Sequence, residues 1–445
     1  MMNNLGKNGK IDRFLFRIII KNAVWTIILK NIQKNAANFF KKSLFSSGKV
    51  WYIIYEVKSI LFGGYFMASI DFKHTPYGDL ALVSMRGCEN IASKVDYYLK
   101  QWRNIPEDES FVVGANCPRF GTGEAKAVLN HTARGLDAYI ICDCFNYSVE
   151  YKMYGRTVPM SPDDHYQDLK RVIAAFGGKA RRITVVMPML YEGRQHRRTA
   201  RESMDCAMAL QELVNMGVKN IITFDAHDPR VNNAIPLDGF DNVQATYQMI
   251  KALLKNVPDI KLNRDHAMIV SPDEGGMGRC IYYSSVLGLP LGMFYKRRNY
   301  SIVVNGRNPI EAHEFLGSDI TGKDLILVDD MISSGDSMLD IAAKLKERGA
   351  GRIFMFSTFG LFVEGLEKFD KYYNEGLINK VFTTNLIYQT PELLSRDWYC
   401  SVDMSKYIAL LVDTLNNDNS ISSLLDPVDR IRKIMAKYNQ TSSEK

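Results

Sequence analysis

One stretch in the carboxyl-terminal half constrains the fold more than any other. Residues 325–328 are four apolar residues that predict a buried parallel strand, and two acids, Asp329 and Asp330, follow them. A Ser/Gly loop at 333–337 then leads into a helical pattern at 338–348. Ligands of open α/β sheets bind beyond the carboxyl ends of the strands. The stretch therefore favours a ligand site in such a sheet, although an ordinary strand–turn–helix with two solvated aspartates would leave the same pattern.

The loop and the two acids suit different parts of a ligand. Backbone N–H groups and hydroxyls at the start of a helix can bind a phosphate, which the helix dipole also favours. The two carboxylates would repel a phosphate and suit hydroxyl groups or a metal ion. Together they indicate a sugar phosphate that is held at both ends.

Predicted strands and helices alternate from residue 80 onward, as in parallel sheets. Strands are predicted at 80–85, 110–114, 138–142, 182–188, 220–225, 267–270, 291–296, 325–328, 352–357 and 381–384. Helices are predicted at 90–102, 163–176, 204–216, 243–254, 277–287, 338–348, 363–372 and 404–415. Residues 147–162 are expected to be an irregular insertion. We predict two α/β domains joined near residues 236–241, each a mainly parallel sheet flanked by helices.

The charge of the chain is unevenly distributed. The 445 residues suffice for two cores, and the net charge is +7. Residues 1–66 hold eleven of the 56 basic and two of the 49 acidic residues, so the remainder is slightly acidic. No general surface for nucleic acid is therefore expected.

The first 66 residues differ from the rest of the chain. Their apolar runs are interrupted by charges, which permits a basic helix on a membrane surface but argues against a spanning helix. Met67 follows a Gly-Gly pair whose codons can resemble a ribosome-binding sequence. We favour the prediction that 1–66 precede the true start, so that membrane contact depends on this extension being real. The expected division is 1–66, 67–238, 239–425, and a carboxyl-terminal helix and tail at 426–445.

The seven cysteines form no Cys-x-x-Cys pair. An odd number of thiols without zinc-type spacing is typical of a reduced compartment, and we expect a cytoplasmic protein.

Two polar residues end the predicted strand 220–225. Asp225 and His227 lie two positions apart and are expected on one face, where they can meet a metal ion or a phosphate. An Asx-type turn before Pro229 explains the same residues equally well. Asp273 precedes a Gly-rich helix start and could bind magnesium, or it could simply cap the helix.

Cations cluster at two further places. Lys296 and Arg298 alternate with Arg297 at a strand end and suit a phosphoryl group in transfer, although a solvated basic strand end is the more common case. Four arginines between 194 and 201 suit a polyphosphate if the same sheet edge carries the other elements. No Gly-x-x-x-x-Gly-Lys-Ser/Thr motif is present.

Taken in order over residues 80–425, these motifs resemble the ribose-phosphate pyrophosphokinase (PRPP synthetase) family, which has two phosphoribosyltransferase-like domains. Residues 119–124, Arg-Phe-Gly-Thr-Gly-Glu, resemble the family's adenine loop, which reaches a neighbouring subunit. Arg194-Gln195 resembles its ATP-binding pair, and Asp225-Ala-His227 its Asp-Leu-His. Residues 271–273, Ser-Pro-Asp, and 296–298, Lys-Arg-Arg, resemble its magnesium-linked and catalytic motifs.

The resemblance implies transfer of the pyrophosphoryl group of MgATP to the C1 hydroxyl of ribose 5-phosphate, giving PRPP and AMP. It implies Mg²⁺ as cofactor and a homo-oligomer with a shared ATP site. ATP binding is assigned by resemblance to Phe120, Thr122, Gly123, Glu124, Arg194, Gln195 and His227. Ribose 5-phosphate binding is assigned to Arg298, Asp329, Asp330, Ser333, Ser334, Gly335, Asp336 and Ser337. Catalysis is assigned to Lys296 and Arg298, and magnesium binding to Asp225, His227 and Asp273.

The chain departs from the family's pattern at several positions. Asp336 replaces a glycine and adds a negative charge to the phosphate loop, His196 replaces an aspartate after Arg-Gln, and Thr122 replaces an aspartate in the adenine loop. Two other functions stay open at this point. One is a phosphoribosyltransferase that consumes PRPP, and the other is a non-catalytic regulatory partner of the synthetase.

Overall fold

Alternation of strands and helices produces two large sheets in the computed structural model, which describes residues 76–298 and 310–443. The side chains of 296–298, 310–313, 439 and 441–443 are not part of that description. The predictions for residues 1–66 lie outside it.

Seventeen strands and eleven α-helices are found in the described ranges. The strands are β1 Asp79–Ser84, β2 Val112–Val113, β3 Ala115–Asn116, β4 Val128–Leu129, β5 Leu136–Ile141, β6 Glu150–Met153, β7 Arg156–Pro159, β8 Arg182–Val186, β9 Asn220–Phe224, β10 Gly239–Val243, β11 Ala267–Ser271, β12 Leu291–Arg298, β13 Ile310–Leu316, β14 Asp324–Ile332, β15 Ile353–Gly360, β16 Lys380–Thr384 and β17 Tyr399–Val402. The helices are α1 Glu89–Arg103, α2 Pro162–Ala175, α3 Asp205–Asn215, α4 Thr246–Asn256, α5 Met277–Leu287, α6 Asp336–Glu347, α7 Glu367–Asn374, α8 Pro391–Leu394, α9 Ser405–Asn416, α10 Ser422–Leu425 and α11 Val428–Ser443. The strand pairs β3–β4 and β6–β7 form two further, two-stranded sheets.

The predicted fold class is confirmed. The first sheet has the strand order β10-β9-β8-β5-β1-β2, and all its neighbouring strands are parallel. The second has the order β13-β12-β11-β14-β15-β16-β17 and is parallel except for the β12–β13 pair. The carboxyl ends of parallel strands share one edge of a sheet, so each sheet offers an edge where loops can form a site.

Local chemistry explains where individual elements begin. The four apolar residues 325–328 of β14 are fully buried, as a strand with neighbours on both sides requires. Helix α2 begins at a capping box, in which Ser161 accepts from the Asp164 backbone N–H and the Asp164 carboxylate accepts from that of Ser161. Pro162 occupies the first helical position, where its missing N–H has no cost.

Several details of the secondary-structure prediction are wrong, and three of them concern the site and its surroundings. Residues 147–162 are not irregular, because they contain the hairpin β6–β7. The acids Asp329 and Asp330 do not follow β14 but lie within it, since the strand continues to Ile332. The helix predicted at 243–254 begins at Thr246. The preceding residues form strand β10, which pairs with β9 of the first sheet beyond the expected division at residue 238.

A buried polar network attaches the end of α9 to the first sheet. Asp137 is fully buried in β5 and accepts two hydrogen bonds of 2.7 Å from Arg182. Asn416 donates to the same carboxylate at 2.9 Å, and Arg182 also donates to the Leu415 carbonyl at 2.8 Å. A carboxylate in the core is tolerated because its oxygens are satisfied in this way. The network therefore fixes a carboxyl-terminal helix to an amino-terminal strand.

No helix within 76–298 or 310–443 has both the length and the apolar character needed to cross a membrane.

We predict that Asp137→Asn lowers the free energy of unfolding by about 3–5 kcal/mol, because the Arg182 charge then stays buried without its partner. Urea unfolding at neutral pH measures the change. The control is Asp429→Asn, which removes an exposed pair with Arg432 at 3.4 Å and should cost less than about 1 kcal/mol. Equal effects of the two variants would contradict the structural role of the network.

Candidate active site

A pocket lies where the carboxyl edges of the two sheets face each other. Its walls come from the segments that follow β5, β8 and β9 of the first sheet and from β14 and β15 of the second. The lining residues are Phe145, Pro162, Met189, Leu190, Tyr191, Glu192, Gly193, Arg194, Phe224, Asp225, Ala226, His227, Asp330, Met331 and Phe359. Residues predicted for ATP binding and for ribose 5-phosphate binding thus share one pocket.

His227 and Asp330 connect the two sheets across this pocket. His227 Nδ1 lies 2.7 Å from Asp330 Oδ2, and the Asp330 side chain is 7% exposed while the imidazole is 42% exposed. The hydrogen bond to Asp330 raises the pKa of His227 above its usual value. Burial alone would raise the pKa of Asp330, but the bond from His227 and the charge of Arg279 lower it. The pair therefore favours a protonated imidazole beside an ionised carboxylate.

Asp225 is held by residues of the second half. Its carboxylate accepts from Arg279 Nε at 2.9 and 2.8 Å and from the Thr358 hydroxyl at 2.7 Å. Its backbone φ is +43°, a left-handed conformation that aspartate tolerates better than most residues. Burial alone would lower the pKa of Arg279, but the charges of Asp225 and the neighbouring acids raise it, so the guanidinium stays charged.

Asp329 and Asp330 are adjacent but differ in environment. The Asp330 carboxylate is hydrogen-bonded to His227. The Asp329 side chain is 23% exposed, and its Oδ1 lies 4.0 Å from Arg279 Nη1. Burial and the neighbouring Asp330 charge raise the pKa of Asp329. Asp329 is thus the more accessible of the two acids to a ligand.

The Ser/Gly loop opens helix α6 as predicted. Gly335 has φ +90°, and a Cβ there would come within 2.4 Å of the Phe369 ring, so no other residue fits without a shift. The carboxylate of Asp336 accepts from Lys368 Nζ at 2.7 Å and from the Ser334 hydroxyl at 3.0 Å. Lys368 lowers the pKa of Asp336 and pairs with its charge. Lys368 of α7 therefore offsets the negative charge of Asp336, which stands where the family's loop has a glycine.

The arginine-rich segment 194–201 lies beside His227, and both belong to the first half of the structure. Arg194 lines the pocket, and the side-chain amide of Gln195 donates to the Ser203 carbonyl at 2.8 Å. His196 Nδ1 lies 3.1 Å from Asp228 Oδ2, and its ring centroid is 5.5 Å from that of His227. Burial lowers the pKa of His196 despite the nearby Asp228 charge. The two imidazoles thus lie together with opposite tendencies to bind a proton.

Several predicted residues are not among the described residues that line this pocket. Among the described residues that line it, none belongs to the loop 120–124, where the Thr122 hydroxyl donates to Glu124 Oε2 at 2.9 Å. Asp273 lies at the start of α5 and accepts from the Gly276 N–H at 3.1 Å. Lys296 and Arg298 belong to β12, whose register shifts between Arg297 and Arg298, and their side chains lie outside the description.

The described residues contain no group of three or more His, Cys, Asp or Glu side chains that could hold a metal ion by themselves. Mg²⁺ is commonly bound by one or two protein ligands together with substrate phosphates. Asp273 offers an oxygen ligand of that kind, whereas Asp225 already accepts three hydrogen bonds. The donor set thus fits a magnesium ion that arrives with a nucleotide, and the individual ligands stay predictions.

Two sequence-family models match successive parts of the chain. The model described as the N-terminal domain of ribose phosphate pyrophosphokinase matches residues 80–217, and that of the phosphoribosyl synthetase-associated domain matches 303–426. The chain belongs to the ribose-phosphate pyrophosphokinase family.

Individual members of this family are distant relatives. The ribose-phosphate pyrophosphokinase of Vibrio cholerae is 28% identical over 321 residues, which cover 70% of this chain and 91% of that protein. That of Pasteurella multocida is 28% identical over 313 residues, covering 70% and 90%. The crystal structure of phosphoribosylpyrophosphate synthetase from Mycobacterium smegmatis matches with a TM-score of 0.62 at 19% identity, covering 77% of this chain and all of that one. The structural match shows the shared fold.

Three residues that bind acids of the site were not predicted from the sequence, although the family was. Arg279, Thr358 and Lys368 each bind an acid of the site. Arg279 lies 54 positions from Asp225 along the chain, and no local pattern connects them. For Lys368, the sequence offered one indication: a negative charge at Asp336 in a phosphate loop is expected to have a cation nearby.

We predict that His227 and His196 titrate on opposite sides of the usual histidine pKa of 6.5, His227 above and His196 below. Histidine Cε1–H shifts measured by NMR against pH give both values. Asp330→Asn should lower the pKa of His227, whereas the control Asp228→Asn should lower that of His196 instead. A wild-type His227 pKa at or below 6.5 would contradict the contact with Asp330.

The same pair has a predictable effect on stability. The pKa of His227 is higher in the folded protein than in the unfolded chain, whose value is about 6.5. The stabilisation from His227 is therefore complete below that pH, where Asp330 is still ionised, and is lost as the pH rises through the folded-state pKa of His227. It is lost again in acid, when Asp330 takes up a proton.

Proposed function

We propose that this protein is a ribose-phosphate diphosphokinase, which transfers the pyrophosphoryl group of MgATP to the C1 hydroxyl of ribose 5-phosphate. The contact between His227 and Asp330 carries the proposal. It brings a residue assigned to ATP within 2.7 Å of one assigned to ribose, so that donor and acceptor would meet in one pocket. Proximity of this kind is a large part of catalysis when two substrates must react.

The reaction requires that one bond forms and one breaks. The C1 hydroxyl oxygen bonds to the β-phosphorus of ATP, the bond from that phosphorus to the α–β bridging oxygen breaks, and AMP leaves with the electron pair. The hydroxyl proton passes to solvent or a base. Charge grows on the phosphorus oxygens and on AMP, where Lys296 and Arg298 would stabilise it.

The surrounding residues would hold the two substrates. Arg194 would bind the triphosphate. The His227 ring uses Nδ1 for Asp330, which leaves Nε2 for a phosphate oxygen or for the magnesium ion assigned to this residue by resemblance. Mg²⁺, with Asp273 as a proposed ligand, would neutralise phosphate charge. Asp329 would accept from ribose hydroxyls.

The loop that opens α6, together with its Ser333 and Ser337 hydroxyls, would hold the 5-phosphate. The ion pair between Asp336 and Lys368 weakens the alternative of a regulatory partner without activity, because it offsets the negative charge on which that alternative depended. The other alternative, a phosphoribosyltransferase that consumes PRPP, leaves Arg194 and His227 without a role. We also propose a cytoplasmic location and a homo-oligomer in which the loop 120–124 reaches a neighbour's ATP.

Phosphorus NMR of the purified protein with ribose 5-phosphate and MgATP tests the reaction. Appearance of AMP together with PRPP supports the proposal. Release of ADP, or no change in the spectrum, would overturn it.

We predict that Lys296→Ala lowers kcat about 10²–10³-fold with a smaller effect on KM, because its charge acts mainly where new charge develops. Arg297→Ala, at the alternate position of the strand, is the matched control and should leave kcat nearly unchanged. Asp329→Asn should instead raise KM for ribose 5-phosphate more than it lowers kcat. Steady-state kinetics separates these effects, and a Lys296→Ala enzyme with normal kcat would remove Lys296 from the catalytic step.

We predict that two inactive variants, Glu124→Ala and Lys296→Ala, recover activity when their subunits are mixed. Each mixed oligomer can then combine an intact loop with an intact catalytic strand at one site. Recovery should require subunit exchange. Full activity from a verified monomer would contradict the shared site.

A further inference from the structure

The insertion at 147–162 forms a tight hairpin whose turn is well defined. In the hairpin, Glu150 of β6 is paired with Pro159 of β7 at the open end, and Met153 is paired with Arg156 at the turn. Tyr154 and Gly155 therefore form a two-residue turn. Both have positive φ, +48° and +77°, as a type I′ turn requires. A lone two-stranded hairpin is marginally stable in water, so its contacts with the rest of the protein decide whether it is ordered.

The hairpin makes its contacts with the loop 119–125. The Tyr154 N–H donates to the Gly121 carbonyl at 2.8 Å. The Tyr151 ring lies under the Arg119 guanidinium, 4.6 Å from its central carbon. Gly123 has φ +95°, and a Cβ there would come within 3.0 Å of Met153 Sδ. One strand of the hairpin therefore lies directly against the loop.

Helix α2 holds the other side of this arrangement. Arg119 is ion-paired to Asp168 at 2.8 Å, and both side chains are less than a tenth exposed. Tyr151 donates through its hydroxyl at 3.3 Å to Asp164, the third residue of α2 and a member of its capping box. The Arg119 side chain is thus enclosed between a helix and the hairpin, and its guanidinium also donates to the Gly123 carbonyl at 3.1 Å. The loop is consequently fixed from both of its faces.

Two aromatic side chains remain exposed on the loop and the hairpin. Phe120 is 56% exposed at the loop, and Tyr154 is 77% exposed at the hairpin turn. A loop that is ordered before binding loses less conformational entropy when its ligand arrives. By holding the loop in one conformation, the hairpin therefore reduces the conformational entropy that the loop loses when a ligand binds.

We infer that the hairpin is a brace that presents the loop 120–124 to the purine base of ATP bound by a neighbouring subunit, with Tyr151 as the positioning residue. This inference rests on the proposed function. Without the contacts of the hairpin, the loop would be ordered only when ATP binds. The entropy lost in that step weakens ATP binding and raises KM for ATP. Loss of the brace leaves kcat at saturating ATP and KM for ribose 5-phosphate unchanged.

Tyr151→Leu and Tyr151→Phe form a matched pair for the test. Leucine removes the ring that stacks on Arg119 and should raise KM for ATP about three- to tenfold, the range expected for a cation–π contact. Phenylalanine keeps the ring and should stay within about twofold of wild type on the same scale. Lys152→Ala, at the adjacent exposed position, controls for general effects on the hairpin. Met153→Ala is a second, milder variant that should change KM in the same direction if the leucine variant fails to fold.

Mixed oligomers show which subunit the brace serves. Tyr151→Leu subunits have intact catalytic residues, and Lys296→Ala subunits have an intact loop. When the two are mixed, sites formed by a Tyr151→Leu catalytic strand and a Lys296→Ala loop should regain the wild-type KM for ATP. Unchanged KM in the mixture would overturn the action across subunits.

Hydrogen exchange separates failure of the brace from failure of the proposed reaction. Without nucleotide, amides 119–125 should exchange faster in Tyr151→Leu than in wild type or Tyr151→Phe. If the wild-type protein makes no PRPP, the proposed function is wrong. The exchange rates of amides 119–125 still test whether the hairpin orders the loop. Equal exchange rates, or a wild-type KM for ATP in an active Tyr151→Leu enzyme, would overturn the inference.

Discussion

The hydrogen bond between His227 and Asp330 is the contact on which the rest of the site depends. His227 follows a strand of the first sheet, and Asp330 lies within a strand of the second. A buried carboxylate is costly without a partner, so Asp330 favours the arrangement in which the two sheet edges face each other. Arg279 adds a second connection, because it binds Asp225 of the first half from a helix of the second. The pocket is the space that these contacts keep between the edges.

The charges around the pocket follow a consistent order. Two acids that would oppose a phosphate are each held by a cation, Asp225 by Arg279 and Asp336 by Lys368. Arg194 reaches the pocket from the first half. Pairing of this kind suits a site for phosphorylated substrates, because it offsets negative charge that would weaken phosphate binding. The departure at Asp336 is therefore compatible with the proposed activity once its partner is known.

Much of the fold was predictable because its signals are local. Apolar runs bounded by turn residues indicated the main strands, and the order of short motifs indicated the family. The hairpin was missed because its positive-φ turn is built on Tyr154-Gly155 and not on the more common Asn-Gly. The partners of Asp225 and Asp336 could not be predicted, since Arg279 and Lys368 lie 54 and 32 positions away along the chain. Such pairings depend on how the two sheets pack.

The central claim is that His227 and Asp330 couple the two halves of the site. A double-mutant cycle with His227→Ala, Asp330→Asn and the combined variant, measured by urea unfolding at pH 6, tests it most directly. We expect a coupling free energy of about 1 kcal/mol or more, towards the lower part of the range for contacting pairs because the imidazole is partly exposed to solvent. Additivity within about 0.3 kcal/mol would contradict the claim and leave the pair of Arg279 and Asp225 as the link between the two halves at this pocket.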